Sequence, residues 1–211
     1  MLWLPLPSLA AETVLVLGDS LSAARGIEQK QGWVNLLRQR LHQVCAGCQL
    51  VNASISGETT AGGRSRLPPL LARYHPAILI VELGGNDGLQ GLPLEQMTSN
   101  LEGIIDDAQA RGANVLLVGM RLPANYGPAY TRKFHAVYLR LAQQRHVALV
   151  PFLLAGLENR RDLFQPDGIH PTAEAQAMLL DNVWPVLREM VQKLMSQATA
   201  NAAGVIPAKP E

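Results

Sequence analysis

Four short motifs, spread from one end of the chain to the other, carry residue types that together could break an acyl bond. The first is Gly18-Asp19-Ser20-Leu21-Ser22, which closes the apolar run Val14-Leu15-Val16-Leu17. A serine hydroxyl is a poor nucleophile at neutral pH, so it must be held exposed and beside a base. A sharp turn at the end of a buried strand would do this for Ser20. The candidate base is His170 in Asp167-Gly168-Ile169-His170-Pro171. A free imidazole titrates near ~6.5, which suits it to take and return a proton near neutrality. Asp167 stands three residues earlier, close enough on one turn to hold the second ring nitrogen and fix the tautomer. Acyl transfer also builds charge on the carbonyl oxygen, which needs donors. Three are on offer: the Ser20 backbone N–H, the backbone of Gly57 in Asn52-Ala53-Ser54-Ile55-Ser56-Gly57, and the Asn86 side chain in Gly84-Gly85-Asn86-Asp87. Taken singly, each motif has a plainer meaning: a helix-capping serine, a turn glycine, a turn-stabilising asparagine, a structural Asp-His pair. Asp19 shapes the turn in this reading and takes no part in the chemistry.

The elements that must position these residues follow from the apolar periodicity. Runs of strand length cover 13–17, 49–52, 77–82, 114–119 and 148–151. Val115 to Val118 is unbroken and apolar, as a strand buried on both faces should be. Between the strands lie helix-period stretches at 33–44, 60–72, 93–111 and 128–145, and a last one runs from Thr172 to about Leu194. Leu101, Ile104, Ile105 and Ala108 recur at helical spacing. Strands alternating with helices predict one α/β domain over 12–195, a five-stranded parallel sheet in a three-layer α/β/α sandwich. Ligands of such sheets bind beyond the carboxyl ends of the strands. Ser20, Gly57 and Asn86 follow strands one, two and three, and Asp167 and His170 follow strand five. All should therefore meet at one edge.

Composition narrows the field. The 211 residues are 48% hydrophobic and 17% charged, with a net charge of +1. This balance gives no reason to expect nucleic acid as a partner, and no apolar run is both long and charge-free enough to span a bilayer. The pairs Arg64/Arg66 and Arg160/Arg161 read as solvated faces. Residues 1–11 look like the latter half of a secretory signal without its basic start, or else a disordered terminus. Residues 196–211, rich in Ala and Pro, read as a disordered tail. The two cysteines, Cys45 and Cys48, follow a helix and precede a strand. This favours a small loop disulfide over a redox motif or zinc site, with two free thiols as the alternative.

With these blocks in view, the chain resembles the GDSL/SGNH hydrolase superfamily, whose four blocks centre on Ser, Gly, Asn and His. The matching positions are Ser20, Gly57, Asn86 and His170, the last with Asp167. Within it the chain is most similar to the bacterial multifunctional thioesterase I/lysophospholipase/arylesterase group. A further likeness to that group is Arg121-Leu122-Pro123-Ala124-Asn125-Tyr126-Gly127-Pro128. The similarity runs from about Thr13 to the final helix. It implies a flavodoxin-like sheet, no metal or organic cofactor, and hydrolysis of esters and thioesters through an acyl-serine intermediate. It also implies a periplasmic or secreted location.

An acyl pocket beside Ser20 would be walled by Leu89, Leu92, Leu122 and Pro123, with Asn125 and Tyr126 facing the leaving group, unless these side chains simply pack the loops. Small acyl esters or thioesters, lysophospholipid among them, are the expected partners, and a monomer the expected state. Two rival readings keep part of this picture. One is an acyltransferase or carbohydrate deacetylase using the same site. The other is a flavodoxin-like phosphate or nucleotide-binding module, against which the turn at Ser20 carries an acid and lacks a phosphate cradle's glycines.

Overall fold

Five apolar segments form the strands β1 (Thr13–Gly18), β2 (Gln49–Asn52), β3 (Ile78–Glu82), β4 (Asn114–Val118) and β5 (Ala148–Val150). They belong to a computed structural model that describes residues 12–204. All four pairings are parallel and the order is β2-β1-β3-β4-β5. The helices are α1 (Trp33–Val44), α2 (Thr60–Tyr74), α3 (Gly85–Leu89), α4 (Leu94–Gln109), α5 (Pro128–Gln144) and α6 (Gln176–Gly204). Packing of α1 on α6, and of α2 on α4 and α4 on α5, covers the two faces of the sheet and completes the three layers.

The chain leaves β1 for β2 on one side and returns to β3 on the other. The order therefore reverses between β1 and β3, and a crevice opens beyond their carboxyl ends. Both strands are central, and their residues Val14 to Leu17 and Ile78 to Val81 are buried. Rigidly packed strands give the turns that follow them fixed starting points. Register pairs Gly18 with Glu82, so the Ser20 turn and the Gly84-Gly85 turn start side by side.

Two elements differ from the sequence expectation. The Gly-rich stretch at 84–88, read as a turn, winds into α3. The last helical region begins with a 3-10 turn (Ala173–Ala175), and α6 then runs to Gly204. It thus continues through 196–204, part of the segment expected to be a disordered tail. Its fully buried face ends with Val183, Leu187 and Val191, and Leu194 and Met195 pack half-covered beyond them. The signal-like residues 1–11 lie outside the described residues. Cys45 and Cys48 are joined in a disulfide at the end of α1. No described helix is long and apolar enough to cross a membrane.

Candidate active site

Ser20 opens the turn after β1, and its side chain is nearly enclosed, at 8% exposure. The turn is tight: Leu21 N–H donates to Asp19 Oδ1 at 3.0 Å and Ala23 N–H to the Asp19 carbonyl at 2.9 Å. Gly18 is required by close approach, since a Cβ there would stand 2.7 Å from Ser22 Cβ and 2.8 Å from Ser54 Oγ.

His170 comes from the other end of the chain, yet its Nε2 lies 2.8 Å from Ser20 Oγ. Its Nδ1 lies 2.7 Å from Asp167 Oδ2. Asp167 Oδ1 accepts the backbone N–H groups of Ile169 at 2.9 Å and His170 at 3.0 Å. These two backbone donors, with the His170 ring, hold the Asp167 carboxyl down at about 2. An ionised Asp167 can only accept, so Nδ1 carries the proton and donates it in the hydrogen bond to Oδ2, which leaves Nε2 as the acceptor facing Ser20. The turn from 167 to 170 passes through Gly168 at a φ of 68°, a left-handed conformation that suits glycine.

Gln165 ties the two loops together. Its Nε2 donates to the Arg25 carbonyl at 2.8 Å, in the loop after Ser20, and to the Pro171 carbonyl at 3.1 Å. Its backbone N–H donates to the His170 carbonyl at 2.7 Å. A half-buried glutamine between Phe164 and Pro166 leaves no mark in the sequence that would single it out.

Asn86 sits in the first turn of α3. Its Nδ2 donates to Asp19 Oδ2 at 3.1 Å and to the Glu58 carbonyl at 2.9 Å. It thereby joins the Ser20 turn to the loop that carries Gly57. Gly57 has a φ of 82°, and a Cβ there would meet open space, so the residue is glycine for its backbone rather than for room. Among the described residues, no acceptor takes the N–H of Ser20 or of Gly57. Ser20 and Gly57 each keep a free backbone donor, and the Asn86 amide bridges the loops that carry them.

Behind these groups lies a second layer that the sequence reading missed. Asp87 is buried and accepts both the Thr60 N–H at 2.9 Å and the Thr60 hydroxyl at 2.5 Å. Asn100 Nδ2 donates to the same hydroxyl at 3.2 Å. Arg66, expected on a solvated face, is instead mostly covered and donates from Nε to Glu58 Oε2 at 2.5 Å. Glu82, completely buried, accepts the Ser22 hydroxyl at 2.7 Å and the Asp19 N–H at 3.4 Å. Burial pushes Asp19 up to about 6, partly offset by the Leu21 N–H and by contact with Glu82. Burial, then the neighbouring Asp19 charge, raises Glu82 well above the carboxylate range. No cluster of three or more metal-binding side chains occurs among the described residues.

The residues expected to wall the acyl pocket divide. Leu122 is buried and packs over Gly88, whose Cβ position would lie 2.7 Å from it. Leu89 and Leu92 are half-buried, and their carbonyls accept the hydroxyls of Tyr126 at 3.0 Å and Tyr130 at 3.4 Å. Tyr126 thus spends its hydroxyl on the loop. Pro123 and Asn125 are exposed.

Residues 16–178 match the GDSL-like Lipase/Acylhydrolase family. The chain is 51% identical over 182 residues to Esterase TesA of Pseudomonas aeruginosa, an alignment spanning 86% of this chain and 90% of that one. It is 41% identical over 182 residues to Thioesterase 1/protease 1/lysophospholipase L1 of Escherichia coli, spanning 86% of each. The crystal structure of the psychrotrophic esterase EstA from a Pseudoalteromonas species, inhibited by monoethylphosphonate, superposes with a TM-score of 0.81 at 36% identity. That superposition covers 86% of this chain and 99% of the other. With its sheet, its edge site and these likenesses agreeing, the chain belongs to the GDSL-like lipase/acylhydrolase family.

Proposed function

We propose that this hydrolase cleaves carboxylic esters and thioesters at Ser20 through an acyl-serine intermediate. The observation that carries this reading is the relay Ser20 Oγ–His170 Nε2–Asp167, at 2.8 and 2.7 Å, assembled from opposite ends of the chain. His170 Nε2 takes the hydroxyl proton as Ser20 Oγ bonds to the carbonyl carbon, and the C=O electron pair moves onto oxygen. The N–H groups of Ser20 and Gly57 and the Asn86 amide receive that oxyanion. Collapse of the adduct breaks the bond to the alcohol or thiol, which leaves with the proton held by His170. Water then repeats the sequence on the acyl-serine, releasing the acid and restoring the hydroxyl. Asp167 stabilises the imidazolium in both halves and keeps its own charge.

The names of the relatives support ester and thioester substrates over an acyl acceptor other than water. They also support lysophospholipid as one substrate class, with Leu89, Leu92, Leu122 and Pro123 shaping the acyl side and Asn125 and Tyr126 the leaving-group side. A monomer outside the cytoplasm, periplasmic or secreted, is the matching context. The Cys45–Cys48 disulfide supports that location, since such bonds persist in oxidising compartments.

The test is Ser20→Ala. It should give a folded protein that neither turns over p-nitrophenyl and acyl-CoA substrates nor takes up a fluorophosphonate probe. Labelling that survives the substitution removes Ser20 as nucleophile.

A further inference from the structure

The steps above leave two buried carboxyl groups without a task. Asp19 and Glu82 are sealed from solvent, and the Asp19 backbone N–H donates to Glu82 Oε2 at 3.4 Å. Among the described residues no cation forms an ion pair with either. Two adjacent carboxyls in such a place do not both ionise, so one keeps a proton. Glu82, the more deeply enclosed, is the one that keeps it. Its Oε1 has no hydrogen-bond partner among the described residues, a poor setting for a carboxylate oxygen that carries charge.

The second observation concerns Asn86. Its Nδ2 has two hydrogens, and both are engaged at rest, one by Asp19 Oδ2 and one by the Glu58 carbonyl. An amide in this state can meet an oxyanion only by handing one hydrogen over. The contact to Asp19 is the longer, 3.1 against 2.9 Å. The Asp19 carboxylate keeps the Leu21 N–H on Oδ1 when Asn86 lets go of Oδ2. Releasing that hydrogen therefore leaves the carboxylate with a donor.

We propose that Asp19 is a positioning residue. It aims the Asn86 amide at rest and yields its hydrogen bond to the oxyanion as the adduct forms, while Glu82, which accepts the Asp19 N–H and the Ser22 hydroxyl, fixes the turn that carries Asp19. The inference rests on reading Asn86 as an oxyanion donor. The charged and titratable groups around the pair are Asp87 and His170, which face Asp19, and Tyr138, which faces Glu82.

The experiment measures kcat and KM on a short-chain p-nitrophenyl ester for the parent, Asp19→Ala, Asp19→Asn and Ser20→Ala, with folding followed by circular dichroism. Asp19→Ala should lower kcat roughly tenfold or more, because an unaimed donor stabilises the oxyanion poorly. KM should stay within about twofold, as expected when only a transition-state interaction is lost. Asp19→Asn keeps an oxygen that can accept from Asn86 and should recover part of the loss. If Asp19→Ala does not fold, a kcat lowered at constant KM in Asp19→Asn supports the inference by itself. Parent-like kcat in either folded variant overturns it, as does an equal loss in both. A Ser20→Ala protein with undiminished turnover would instead remove the catalytic reading beneath it.

Discussion

At the scale of single residues, the site works by leaving some hydrogen-bonding groups free and committing others. Asp19 N–H and Leu21 N–H are spent on side-chain carboxyl oxygens, so of three successive N–H groups the middle one, on Ser20, is left without an acceptor among the described residues. The same economy extends to Asn86, whose amide has both hydrogens engaged at rest and is proposed to hand one to the oxyanion. Asn86→Ala should lower kcat by ~10²-fold or more at saturating ester, the usual effect of deleting an oxyanion donor. Its resting partners, the Asp19 carboxylate and the Glu58 carbonyl, keep other donors or solvent, so the fold should survive. Kinetics paired with thermal melting separate the two effects: near-parent kcat removes Asn86 from the donor set.

At the scale of elements, what was legible in the sequence followed from spacing, and what was not followed from contacts between distant segments. The central strands could be read because Val14 to Leu17 and Val115 to Val118 are unbroken apolar runs. The meeting of Ser20, Asp167 and His170 could be read because strand order sends their loops to one edge. Helix α3 could not, since glycines at 84, 85 and 88 argue for a turn. It forms because Asp87 is gripped from outside by the start of α2. Glu82 was equally hidden, an acid at the end of an apolar run being an ordinary place for a strand to stop. Nor does anything local announce that Gln165 bridges two loops. The Asp87–Thr60–Asn100 cluster shows what such contacts contribute. Thr60→Val keeps the shape but removes the hydroxyl, depriving Asp87 of one donor and Asn100 of its acceptor. It should cost ~1–3 kcal/mol in chemical unfolding, the penalty for stranding buried polar groups. Because α3 carries Asn86, kcat should fall as well. Unchanged stability would show that water takes over both lost bonds.

For the whole molecule, the sheet that assembles the site also buries its carboxyls, and the fold must bear the consequence as pH changes. Asp19 is raised to about 6 and Glu82 well above the carboxylate range, both chiefly by burial. In the unfolded chain such groups ionise near ~4. Between those limits the folded state holds more protons than the unfolded state, so stability falls as pH rises. The protein should therefore resist denaturant better near pH 5 than near pH 8, against the common pattern in which acid weakens folds. His135 acts in the opposite sense: burial lowers it, so its contribution is lost as pH falls through the range of a free imidazole. Comparison with Glu82→Gln isolates the carboxyl pair. Glutamine cannot ionise, so the variant loses the proton linkage that a raised Glu82 brings. The decline from pH 5 to 8 should be shallower in the variant than in the parent, read from urea midpoints at fixed ionic strength. Parallel curves for the two proteins would mean that Glu82 is ionised in the folded state, and that the proton placed between these carboxyls is not there.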